Sequence, residues 1–117
     1  MSIAGPNQSD RTLIELYANK MSSDPNGAVE LFTESAQFQP TKASPILFKG
    51  RPQIADYLAK GPKQTYAVVT HLPRQGDDNF AELRTEGAGA AAQILTVRFR
   101  TDGHAITELE VVNTRPA

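Results

Sequence analysis

The stretch GAVELFTESAQFQPTKASPILFKGRPQIADYLAKG (27–61) decides the order of elements. Ala28, Leu31 and Phe32 share one side of a helix over roughly 27–34. Ala36-Gln37-Phe38-Gln39 then reads as a short strand, which Pro40 ends or places at a sheet edge. Thr41 to Lys49 reads as a loop in which Ile46-Leu47-Phe48 can form a further short strand. Gly50 breaks it, and Pro52 stands near the first position of the next helix, where its missing N–H costs little. Ile54, Tyr57 and Leu58 give that helix an apolar stripe, and Gly61-Pro62 stops it.

Upstream, residues 1–8 are polar with Gly and Pro and read as a flexible arm. Ser9 or Asp10 can cap a first helix, and Leu13, Ile14, Leu16, Tyr17 and Met21 recur at helical spacing within it. Downstream the period changes to two. Thr65 to Leu72 is rich in β-branched and aromatic residues, and Phe80–Thr85, Gln93–Arg100 and Ile106–Asn113 alternate. Asp102-Gly103 between the last two is a hairpin-turn signal, and Gly76 marks another turn. Gly87 to Ala92 reads as a hairpin connection or a bulged strand start.

Three helices followed by four antiparallel strands predict an α+β fold. The sheet should curl around the helices and bury one face. Gln93, Leu95, Val97 and Phe99 share one face of their strand, with Arg98 and Arg100 on the other. Those arginines are placed to pair outward with Glu108 and Glu110, a structural role.

Composition sets the outer limits. A chain of 117 residues makes one domain, 1–117, with one core. A net charge of −1, from 12 basic and 13 acidic residues, offers no electrostatic footprint for nucleic acid or an anionic membrane. Cysteine is absent, so disulfides and thiolate chemistry are excluded and a cytoplasmic location is expected. MSIAGPNQSD (1–10) lacks the features of a signal peptide, and no apolar run is long enough to span a membrane. The two histidines make no metal motif, and no cofactor is implied.

Four stretches carry a resemblance: LIELYANKM (13–21), AVELFTESAQFQ (28–39), LFKGRPQIADYL (47–58) and ILTVRFRTDGHAITELEVV (94–112). Together they resemble the nuclear transport factor 2-like, or SnoaL-like, superfamily over nearly the whole chain. The resemblance implies three N-terminal helices packed on a curved, mostly antiparallel sheet, forming a cone with an internal pocket. It leaves activity open, because the superfamily holds ketosteroid isomerases, polyketide cyclases, dehydratases, epoxide hydrolases and association domains. The isomerase branch uses a Tyr, an Asp general base and a protonated Asp. Those positions fall at Leu13, at Gln39 or Pro40, and at Leu95. An amide cannot remove a carbon-bound proton and a leucine cannot donate a hydrogen bond, so ketosteroid isomerisation by that mechanism is not expected.

Three residues are then candidates for catalysis. Tyr17 could point a hydroxyl into the cone or pack as a core aromatic. Gln39 stands at the family's usual catalytic position and could orient a ligand carbonyl, or bond nearby backbone. His71 is the better candidate base, since imidazole titrates near neutrality. Leu13, Phe38, Tyr57, Leu95, Val97 and Asn113 are expected to line a ligand pocket. Glu82 and Arg84 are solvated or lie in a dimer interface if Ala81 and Leu83 face the core; otherwise Glu82 is the best candidate for a buried carboxylate, which would be costly unless functional.

The expected function is a SnoaL-like isomerase, cyclase or dehydratase acting on a small hydrophobic molecule by general acid–base catalysis. The alternative is a non-catalytic ligand-binding or association module. A homodimer through the outer sheet face is expected from the resemblance.

Overall fold

The computed structural model describes residues 8–41, 46–61, 63–87 and 89–117. Residues 1–7 of the expected arm lie outside the described residues, and Gln8, read as part of that arm, is already helical. Helix α1 (Gln8–Ser23) buries Leu13, Ile14, Tyr17, Ala18 and Met21, a stripe repeating every three or four residues. Leu16 falls off that stripe and is 41% exposed.

The break after α1 leads into a 3₁₀ helix (Pro25–Leu31), which starts and ends earlier than the helix over roughly 27–34 that the spacing predicts. Asp24 caps it, its carboxylate accepting the Gly27 N–H at 3.2 Å. The segment stays short because strand β1 (Phe32–Gln39) begins four residues earlier than its local sequence suggests. Phe32 is recruited by a partner far along the chain, Ile106. Strand β2 (Phe48–Lys49) and helix α2 (Arg51–Lys60) follow, the helix burying Ile54 and Leu58. Four long strands complete the chain: β3 (Gln64–Gln75), β4 (Asp78–Gly87), β5 (Ala90–Thr101) and β6 (Ile106–Pro116). Asp102 builds the last turn, its carboxylate accepting the N–H groups of His104 and Ala105 at 2.9 and 2.8 Å.

The six strands form one mixed sheet in the order β2-β1-β6-β5-β4-β3. β1 pairs parallel to β6 and antiparallel to β2, while β3 to β6 form an antiparallel meander. The fold is α+β, with helices on one face of the sheet. The core lies between them, where Phe32, Phe38, Phe99, Ile14, Ile54 and Leu83 are fully buried. Each such side chain contributes about 1.5–3 kcal/mol. Among the described residues no helix is long and apolar enough to cross a membrane.

Two irregularities decide which side chains face inward. The pairs Val68–Leu83 and Thr70–Glu82 leave Val69 as an extra residue in β3. The pairs Thr96–Asn113 and Val97–Val111 leave Val112 as an extra residue in β6. A bulged residue shifts every later side chain on its strand to the other face. The resulting register places Tyr66, Thr85 and Gln93 in one row across β3, β4 and β5. Val68, Leu83, Leu95 and Thr114 form the next row, and Ala81, Val97 and Val111 lie deeper.

Candidate functional site

A cleft of about 520 Å³ opens at the end of the sheet nearest the α2–β3 connection. That volume lies within the roughly 300–1,000 Å³ common for small-molecule sites. Leu95 and Val111 give it an apolar floor, and Pro40 and Thr41 close one side. The rest of the lining is polar and uncharged: Tyr57 from α2, Gln64 and Tyr66 from β3, Thr85 and Gln93 from the first row, and Asn113 with Thr114. Among the described residues, no Asp, Glu, Lys, Arg or His lines it.

All three tyrosines of the chain gather at this cleft. Tyr57 and Tyr66 line it, and Tyr17 lies beneath, its ring edge-on to Tyr66 at a centroid distance of 6.3 Å. Tyr17 also packs edge-on against Phe32 and Phe38 at 6.2 and 6.5 Å, which fixes its ring in the core. Burial raises the Tyr17 phenol well above its ordinary range, and the neighbouring phenols of Tyr66 and Tyr57 add to the rise. Burial likewise raises Tyr57, with Tyr66 adding to it. Tyr66 is raised by burial and partly offset by a hydrogen bond that its oxygen accepts from Gln64 Nε2 at 3.0 Å. All three are therefore neutral donors at physiological pH.

Tyr66 is held from behind. Its backbone N–H donates to Ser22 Oγ at 2.7 Å, and the same hydroxyl lies 3.0 Å from the Tyr66 carbonyl. The end of α1 thus engages the edge strand at the residue whose ring lines the cleft.

The structure brings together three of the residues expected at a pocket, Tyr57, Leu95 and Asn113. Leu13, Phe38 and Val97 are instead core residues, exposed by 7, 0 and 1%. Phe38 packs between Tyr17 and Tyr57, so it supports the cleft without lining it. Tyr17 is 4% exposed and sits below the cleft.

Gln39 lies on the opposite face of the sheet. Its neighbour Phe38 faces the core, so alternation turns Gln39 outward, opposite Glu110. There it borders a shallow depression with Gln37, Arg98 and Glu108. His71 is also remote from the cleft. The Val69 bulge turns it to the inner face opposite Ala81, but at the part of β3 that α1 covers. Its Nε2 lies 3.1 Å from the Glu15 carboxylate, and its buried Nδ1 has no hydrogen-bond partner. Neither Gln39 nor His71 is among the residues that line the cleft beside Tyr66.

Asn113, read as sharing a face with Leu109 and Val111, follows the Val112 bulge, so Thr114 is the residue paired with Leu95. Both line the cleft. Gln64, Tyr66, Thr85, Gln93 and Thr114 were not singled out by the sequence reading. A signal was present, since Thr85 continues the face of Ala81 and Leu83 and Gln93 heads the face of Leu95 and Val97. A polar residue ending an apolar alternation marks a rim.

The outer face of the same strands is charged and paired. Arg98 reaches Asp78, Glu108 and Glu110 at 2.9, 3.1 and 2.9 Å, and Arg100 reaches Asp78 at 2.7 Å. Hydrogen bonds from Arg100 and then Arg98 hold the Asp78 carboxyl below its ordinary range. Glu82 and Arg84 face outward, as the burial of Ala81 and Leu83 requires, and pair with Arg115 and Glu86 at 2.7 Å each. No cluster of metal-ligating side chains occurs among the described residues.

No family model matches the chain, and no curated protein matches it. Solved structures do. A protein from Sphaerobacter thermophilus superposes with a TM-score of 0.72 at 19% identity, over 90% of this chain and 94% of that one. A protein with a ketosteroid isomerase-like fold from Catenulispora acidiphila, in complex with trimethylamine, gives 0.72 at 20% identity over 86% and 84%. SalBIII, an epoxide hydrolase/cyclase-like enzyme in pyran ring formation in the polyether salinomycin, gives 0.70 at 18% identity over 89% of each. At these identities the likeness establishes the fold alone: the chain has a ketosteroid isomerase-like fold.

Proposed function

We propose that the protein is a small-molecule enzyme of the isomerase, cyclase or dehydratase type, acting through neutral hydrogen-bond donors in the cleft. One observation carries this reading: the phenols of Tyr57 and Tyr66 line a cleft, backed by Tyr17, and burial keeps all three protonated. Because Tyr66 Oη already accepts from Gln64, its proton is the part left to offer a ligand oxygen. Donors fixed toward an oxygen that becomes negative lower the barrier, and removing one typically costs about 10²–10³ in rate.

The lining holds no carboxylate and no imidazole among the described residues, so the base expected at His71 has no counterpart there. The chemistry best matched is one that the substrate completes itself. In ring closure of an epoxy-alcohol, the substrate hydroxyl forms the new C–O bond while the epoxide C–O bond breaks. A phenol protonates the opened oxygen and recovers its proton from the attacking hydroxyl, so the step is balanced without a protein base. The likeness to a cyclase-like enzyme supports this choice among the three types.

The test is turnover of a panel of epoxy-alcohols followed by NMR, comparing the wild type with Tyr66→Phe and Tyr57→Phe. Ring-closed product above the uncatalysed rate, lost by about 10²-fold in Tyr66→Phe, supports an enzyme. Binding at the cleft with no product favours the second reading, a ligand-binding module, which the uncharged lining motivates.

We also propose a homodimer through the outer sheet face, where Leu72, Phe80 and Val112 stand partly exposed around the self-complementary charges. Sedimentation at the 12.7 kDa monomer mass under high protein concentration would remove this part. A cytoplasmic location completes the proposal, since a cysteine-free chain is compatible with a reducing compartment. Recovery of the protein only from the secreted fraction would contradict it.

A further inference from the structure

Several polar side chains of the cleft make no hydrogen bond to another described residue. Thr85 is 3% exposed, yet among the described residues neither its hydroxyl nor the side-chain amide of Gln93 hydrogen-bonds to another protein group. Nor do the side chains of Asn113 and Thr114. On the outer face of these strands charged side chains are engaged, as with Arg98, Arg115 and Glu82. Thr85 is buried, whereas Gln93, Asn113 and Thr114 are exposed, so water meets these groups until a ligand replaces it.

Their arrangement is set by strand register. Tyr66, Thr85 and Gln93 occupy one rung across β3, β4 and β5, all facing the cleft. Adjacent strands lie about 4.8 Å apart, so the outer members of the row stand on the order of 10 Å apart. Thr114 continues the polar wall on β6, one rung deeper beside Leu95. Each of these groups except the Tyr66 phenol, whose oxygen is occupied by Gln64, can both donate and accept. None carries charge.

We propose that the cleft takes an oxygen-rich molecule lying across the strands, with at least two hydroxyl or carbonyl oxygens set apart along its length. One oxygen meets Tyr66 and another meets Gln93, with Thr85 between them, and the hydrocarbon skeleton rests on Leu95 and Val111. This refines the expected hydrophobic substrate and rests on the assignment of function to this cleft.

The test uses three probes on one rigid skeleton: naphthalene, 2-naphthol and 2,6-dihydroxynaphthalene, titrated into the isotope-labelled protein and followed by NMR. Shifts should concentrate on Gln64, Gln93, Asn113 and Thr114. Affinity should rise in the order naphthalene, 2-naphthol, diol, by roughly 5-fold for each oxygen that gains a partner. Thr85→Val, which keeps the shape, and Gln93→Leu should weaken the diol by roughly 5-fold and leave naphthalene within about 2-fold. Retained naphthalene binding shows that the variants are folded. Naphthalene binding as tightly as the diol, or variants that leave the diol unchanged, would overturn the row as a recognition element while leaving the cleft as the site. Shifts confined to another part of the molecule, or no binding at all, would overturn both this inference and the function assigned to the cleft.

Discussion

The inner and outer faces of β4, β5 and β6 are built from alternating residues of the same strands, yet they treat polarity in opposite ways. Outside, Arg98 is met by Asp78, Glu108 and Glu110, and Glu82 is met by Arg115. Inside, Thr85, Gln93 and Thr114 make no side-chain bonds among the described residues. Polar groups that satisfy one another hold a structure together. Those kept apart from one another in a cleft are placed for something that arrives later. The difference separates structural polarity from functional polarity within a few ångströms of sheet.

The largest way to break the contrast is to remove what supports the inner face. Phe38→Ala, at a fully buried ring between Tyr17 and Tyr57, should cost about 3–5 kcal/mol in denaturant unfolding and loosen the tyrosine cluster. Arg98→Met should cost less, about 1–2 kcal/mol, because three carboxylates lose their common partner at a partly solvated site. Its ligand affinity should be unchanged; a clear loss of affinity would show that the two faces are coupled. Tyr57→Phe should move stability by no more than about 1 kcal/mol. Glu86→Gln, at an exposed pair, should lie within about 0.5 kcal/mol, a baseline for the others.

The faces should also respond to opposite ends of the pH scale. The tyrosine phenols are raised in the folded state, so their contribution is complete below the ordinary value of 10.0 and is lost as pH rises above it. The chain has three tyrosines and no tryptophan, so phenolate absorbance reports this cluster alone and should appear late, together with unfolding. Asp78 and Glu82 are lowered in the folded state by their arginine partners. Their contribution is complete above the ordinary values of 3.8 and 4.5 and is lost as pH falls through the depressed range. An acid limb that persists unchanged in Arg98→Met would argue that the outer network does not supply it.

Much of the fold was legible in local pattern. The stripe of α1, Pro52 opening α2, the Asp102-Gly103 turn and the period-two runs of β3 to β6 each follow from nearby residues. The pairing of Arg98 and Arg100 with Glu108 and Glu110 followed from alternation around one turn. The site was less legible. Tyr57, Leu95 and Asn113 line the cleft, whereas Gln39 and His71 do not. Alternation alone turned Gln39 outward once Phe38 was buried, whereas the face of His71 depended on a bulge.

The sequence by itself determined the elements, their order, the absence of charge in the residues that became the cleft, and a chain without cysteine. Those properties depend on spacings of a few residues, where propensity and periodicity act. Tertiary structure alone decided the parallel pairing of β1 with β6, the extra residues Val69 and Val112, and hence which side chains share a rung. Register is fixed by contacts between strands far apart in sequence, and one inserted residue exchanges the faces of all that follow. The gathering of Tyr17, Tyr57 and Tyr66 from two helices and an edge strand is the outcome of that long-range choice.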